Sequence, residues 1–84
     1  MKSSTTRRFR EAFASLPEQV QNAARKQYAI WKINPRHPSL QFKKIGSFWS
    51  VRVTLDFRAL ALEEDETYYW FWIGNHADYD RLIG

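Results

Sequence analysis

The stretch 49–73, WSVRVTLDFRALALEEDETYYWFWI, decides the fold. Trp49, Val51, Val53 and Leu55 alternate with Ser50, Arg52 and Thr54, the period-two pattern of a half-buried strand. Asp56 marks a tight turn, and residues 57–62 read as a second strand. Residues 63–66 make the next turn and 67–73 a third strand. Strands this close in sequence pair as an antiparallel meander, because parallel neighbours need long crossovers. Gly74-Asn75 breaks the third strand, and residues 76–83 are expected to form a last helical turn or two.

Towards the N-terminus the apolar period lengthens to that of a helix. Phe9, Ala12, Phe13 and Leu16 recur at i, i+3, i+4 and i+7. Residues 3–6 before them are either a short extended lead-in or the helix cap. Ser15-Leu16-Pro17-Glu18 reads as a new helix start, with Ser15 as cap, Glu18 three residues on and Pro17 in the first turn. Val20, Ala23, Ala24, Tyr28 and Trp31 continue an apolar stripe until Asn34-Pro35, where the residue before proline is pushed out of the helical region. Pro35 to Ser39 is a rigid connector; Leu40 and Phe42 pin it to the core, and Lys43 and Lys44 face outward or towards a ligand. Gly46-Ser47 is a turn. The sum is a single α+β domain over residues 1–84, a helical hairpin packed on a small twisted antiparallel sheet with a short C-terminal helical turn. The sheet face opposite the hairpin, carrying Ser50 and Arg52, is then an open basic surface.

Composition narrows the chemistry. With 84 residues and no cysteine, the chain has room for one core and no disulfide or thiolate metal site. Six Phe, four Tyr and four Trp supply the apolar bulk. Two histidines and no Gly-rich phosphate loop leave neither a metal nor a cofactor expected. No apolar run approaches the roughly 18–20 residues of a membrane span. The basic N-terminus leads into no apolar segment of a signal peptide, which suits a cytoplasmic protein. Charge is uneven: residues 1–58 hold 12 Lys/Arg against three acids, a net of +9, and residues 59–84 hold Arg81 against six acids, a net of −5. Such a basic segment suits a polyanion, most simply nucleic acid, although a solvated surface accounts for charge alone as well. The acidic run 63–66 reads as a solvated hairpin tip, and Tyr68-Tyr69 must expose one ring in any strand register.

The remaining polar residues gather at strand ends: Arg52 on the first strand, Arg58 opening the second, His76 after the third. These suit RNA scission by its own 2′-hydroxyl. Histidine does acid–base work near neutral pH, and arginine matches phosphate oxygens with a planar fork. Tyr79, Phe48 and Trp49 are candidates to stack on an unpaired base. Each has a plainer reading: a surface or capping His76, arginines paired with neighbouring carboxylates, solvated lysines, and tryptophans used for core or partner contact.

Arg8-Phe9, the Leu16-Pro17 turn, Asn34-Pro35-x-x-Pro38-Ser39-Leu40 followed by Lys43, Ser50-Val51-Arg52-Val53, Phe57-Arg58-Ala59-Leu60 and Trp72-Ile73-Gly74-Asn75-His76-Ala77-Asp78-Tyr79-Asp80 come in the order and spacing of a known family. Over nearly its whole length the chain resembles the RelE/ParE superfamily of type II toxin–antitoxin toxins, in the branches where a histidine follows the last strand (HigB-like and YafQ-like). The resemblance implies a helical hairpin on a twisted antiparallel sheet, and metal-independent cutting of mRNA on the ribosome, neutralised by a cognate antitoxin in a hetero-oligomer. It assigns catalytic positions to Arg52, Arg58, His76 and Tyr79, and RNA binding to Lys43 and Lys44. The family's N-terminal strand looks short or missing here, because residues 3–6 lack apolar alternation, and Ser50 stands where some members carry lysine. The same fold also serves ParE-like inhibitors that bind DNA gyrase without chemistry, and degenerate toxins active only in the antitoxin complex.

Overall fold

In a computed structural model, which describes residues 2–84, five strands and three helices follow one another in the chain. They are β1 (Lys2–Thr5), α1 (Arg7–Ala14), α2 (Glu18–Ile33), β2 (Lys43–Ile45), β3 (Phe48–Arg52), β4 (Phe57–Glu64), β5 (Thr67–Asn75) and α3 (His76–Ile83), with one 3-10 turn at Pro38–Leu40. The sheet order is β1-β5-β4-β3-β2. The helical hairpin lies on one face, as the apolar spacing required, and the β3-β4-β5 meander is antiparallel as expected.

Four local expectations are corrected. The N-terminal strand, expected to be short or missing, is present and short: β1 pairs parallel with β5, Ser3 opposite Tyr68 and Thr5 opposite Trp70, so the sheet is mixed rather than wholly antiparallel. Its burial alternates, with Ser3 and Thr5 half-buried and Lys2 and Ser4 exposed. Small polar side chains carry that alternation, so hydrophobicity could not reveal it. Lys43 and Lys44 belong to a strand, β2, rather than to the connector. The Ser15 capping box does not form; the Ser15 hydroxyl donates back to the Ala12 carbonyl and closes α1 instead. Also, β3 stops at Arg52, and Leu55 is exposed in the following loop.

Trp31 of α2 is the hub of the core. It is 1% exposed, and its indole meets Phe42, Tyr68 and Trp70 edge-on at 5.3–5.8 Å and stacks with Tyr28 at 5.9 Å. Offset and edge-to-face geometry satisfies the ring quadrupoles while burying large areas. Val51, Ala59, Ala61 and Ile73 of the sheet and Val53 just after β3 complete the cluster, and Phe9, Phe13, Leu16 and Val20 pack on it from the hairpin. A chain with no disulfide depends on such bulk. Trp31→Ala is therefore expected to cost about 3–5 kcal/mol, a large share of the roughly 5–15 kcal/mol total stability of a small domain. A urea-unfolding midpoint that falls by less than a quarter of the wild-type value would contradict the hub role.

Candidate active site

Register decides which side chains meet. Arg52 of β3 lies directly opposite Arg58 of β4, and Ser50 opposite Leu60. These residues occupy the sheet face away from the hairpin, since Val51, Val53 and Ala59 between them point into the core. Two like charges directly opposite on a sheet repel, and nothing in the pairing itself offsets that. The structure thus holds two guanidinium groups at one corner, both half-buried.

Arg58 is anchored by the loop it follows. One guanidinium nitrogen donates to the carbonyls of Thr54 at 2.6 Å, Phe57 at 3.0 Å and Leu55 at 3.1 Å. Burial, and next the charge of Arg52, weaken the hold of this guanidinium on its proton, while Tyr79, Asp80 and Asp56 act the other way. An arginine stays protonated regardless, so the consequence is a concentrated, partly dehydrated positive charge. Its other nitrogens remain outside that carbonyl clamp.

His76 is tied to the same loop. Phe57 pairs with Asn75, and the His76 backbone N–H donates to the Asp56 carbonyl at 2.7 Å. Asn75 caps α3, its side-chain oxygen accepting from the Asp78 N–H at 2.8 Å, so His76 is the first residue of the helix. The imidazole is exposed, with Nδ1 at 3.0 Å from Asp80 Oδ2 one helical turn on. Gly74 lets Trp72 lie flat against this corner: a Cβ there would meet the Trp72 ring at 2.5 Å. The glycine that sequence marked as a strand breaker is thus an internal strand position serving the tryptophan.

The open polar face is corrected in one respect. α3 covers part of it, and Tyr79 is 4% exposed, with its hydroxyl 2.8 Å from the Ser50 Oγ. Its ring lies 6.4 Å from Trp72 and 5.7 Å from His76. The expected exposed platform for a base is therefore a buried support beneath His76. Ser50, read as a surface polar residue, is buried at 2% because it is the partner that phenol requires. Lys43 pairs with Ser50 and shares the face of the arginines; Lys44 pairs with Trp49 on the other face, and both are exposed.

One positioning residue was missed. Gln27 of α2 donates from its amide nitrogen to the carbonyls of Arg52 at 2.9 Å and Ser39 at 3.1 Å, fixing the end of β3 from behind. Its signal was in the sequence: it stands between Ala23 and Trp31, four residues from each, as a polar residue on an apolar stripe. Among the described residues no group of three His, Asp or Glu side chains is placed to hold a metal ion.

The fold has counterparts among solved structures. YafQ from E. coli superposes with a TM-score of 0.74 at 12% identity over 99% of this chain and 98% of that one. A chain of the RelB–RelE antitoxin–toxin complex from Methanococcus jannaschii gives 0.73 at 10% identity over 95% and 98%. The YoeB/ParE toxin from Agrobacterium tumefaciens gives 0.69 at 13% identity over 90% and 99%. No protein-family model and no curated protein sequence matches the chain. Across identities this low the shared property is the fold, and it is the RelE-type fold.

The Ser50–Tyr79 pair makes a clean test of the support role. Tyr79→Phe should cost about 0.5–1.5 kcal/mol, the net worth of a buried hydrogen bond. Ser50→Ala should cost a similar amount, and the double variant should cost clearly less than the two singles together, because both remove the same bond. Additive losses in a thermal-unfolding cycle would show that the hydroxyls do not depend on each other.

Proposed function

We propose that this chain, whose fold is that of the RelE-type toxins, is the toxin of a type II toxin–antitoxin module and an endoribonuclease that cuts mRNA on the ribosome. The observation that carries the reading is the corner where Arg52 and Arg58 face each other with His76 tethered to the loop between them. A phosphodiester offers that pair of guanidinium groups an anion that both can hold. In this reading Arg52 and Arg58 hold the scissile phosphate and stabilise the charge that builds on it. His76 is the general acid or base, and Lys43, which shares the arginines' face, tracks the RNA backbone; Lys44, expected to help, lies on the other face. Tyr79 acts from below, keeping His76 and α3 in place through Ser50.

Neutralisation fits a second surface. Between the hairpin and the sheet runs a cleft of about 660 Å³, whose walls include Phe9, Phe13, Val51 and Ile73 and whose rim carries Arg10 and Arg25. Arg25 lies over the Phe13 ring at 5.1 Å. An amphipathic antitoxin segment with acidic flanks matches both the apolar walls and the basic rim. Changing Arg10 and Arg25 together to Glu should weaken the antitoxin complex at least about tenfold and remove most of its salt dependence, because rim charges set the screened part of binding. An unchanged affinity and salt slope in a titration with the cognate antitoxin would place the contact elsewhere.

The catalytic reading is tested by inducing the protein in cells and mapping mRNA 5′ ends. Wild type should generate new ends within translated frames. Losing an acid–base group costs roughly 10²–10⁴-fold in rate, so His76→Ala should abolish the cuts and the growth arrest while the melting temperature holds. Arg58→Lys should rescue poorly, because a point charge cannot reproduce the fork or the three carbonyl contacts. Arrest with intact mRNA and a gyrase-dependent DNA-damage response would favour a ParE-like inhibitor instead.

A further inference from the structure

We infer that Asp80 is a positioning residue for His76, presenting its Nε2 as the base in RNA scission; the inference rests on the nuclease reading above. The Asp80 carboxylate oxygen lies 3.0 Å from His76 Nδ1. Spacing of four residues on α3 places the two side chains on one face, a turn apart. A carboxylate can only accept, so the neutral imidazole gives it the Nδ1 proton, and the lone pair is left on Nε2. The residue is held at three points: its backbone N–H on the Asp56 carbonyl, its ring tilted against the Tyr79 ring, and its Nδ1 on Asp80.

Stability does not explain the contact. The two side chains are 47% and 60% exposed, and an exposed pair of this kind contributes little to folding. The other acid of the helix, Asp78, is engaged by Arg81 and is not available to the imidazole. Asp80 also bears on Arg58, whose charge it supports. A carboxylate beside a phosphate-binding arginine opposes RNA binding, so its presence has to be repaid in the chemical step. That step balances without a further reagent. The 2′-hydroxyl proton passes to His76 Nε2 as O2′ bonds to phosphorus and the bond to O5′ breaks. A cyclic phosphate remains on the upstream fragment, the departing 5′-oxygen takes a proton from water, and the hydroxide so formed takes back the proton held on His76 Nε2, which leaves the imidazole neutral again.

The test separates orientation from binding. In full-length Asp80→Ala, nitrogen-detected NMR of the ring should show the neutral tautomer moving away from the Nδ1–H form. On ribosome-bound mRNA, kcat should fall on the order of ten- to a hundredfold, the cost of a misaligned group. RNA affinity should stay level or tighten, since a repelling charge is gone. Asp80→Glu, which keeps the carboxylate, should recover part of the rate. An unchanged tautomer, or an unchanged kcat in a protein that cleaves RNA, overturns the positioning role. So does an equal fall in kcat and affinity in both variants with a lowered melting temperature, which would mark a structural residue. A wild-type protein that cleaves no RNA while the tautomer still responds to Asp80 overturns the nuclease reading and the base role with it, leaving the contact as surface chemistry.

Discussion

Everything in this molecule rests on the packing of one side chain, Trp31, against the inner face of the sheet. Its indole joins α2, the Leu40–Phe42 connector and β5 in a single aromatic cluster, with Phe42, Tyr68 and Trp70 all within 6 Å of its ring. An 84-residue chain without cysteine has no other means of closing its core. The opposite face buries a smaller cluster, Ser50, Leu60 and Tyr79 under α3, and polar groups collect beside it.

The second face is organised by the loop between β3 and β4. Arg58 grips its carbonyls from one side, the His76 amide holds Asp56 from another, and Gln27 fixes the carbonyl of Arg52 from behind the sheet. Two elements distant in sequence, α2 and α3, are thereby locked to this four-residue loop and the strand end that leads into it, while Arg58 closes it from the strand that follows. The strand register then sets two arginines face to face, a repulsion that Asp56 and Asp80 offset in part and that a bound anion would relieve further. In the proposed reading that anion is the scissile phosphate. α3 supplies the last parts, with His76 on its exposed first turn and Tyr79 buried beneath.

Much of this was legible in the sequence, and the gaps have physical reasons. The period-two alternation from Trp49 and the helical stripe through Trp31 located the meander and the hairpin, because both bury large apolar side chains. β1 was illegible because Ser3 and Thr5 fill its inward positions, and its pairing energy lies in backbone bonds that any residue can make. At the site, Arg52, Arg58 and His76 were readable as polar residues at strand ends. The burial of Tyr79 was not, because it depends on how α3 folds back over Ser50, a contact spanning 29 residues. Gln27 escapes a reading by periodicity for the opposite reason: it is one polar residue within an apolar stripe.

The central claim is that this corner performs phosphoryl transfer with the RNA's own 2′-hydroxyl. The most direct measurement is the end chemistry of fragments released when purified protein acts on mRNA in a translating ribosome. Attack by the 2′-hydroxyl leaves a 2′,3′-cyclic phosphate on the upstream fragment and a 5′-hydroxyl on the downstream one. Fragments carrying a 5′-phosphate, or no fragments from ribosomes that the protein has bound, would contradict it.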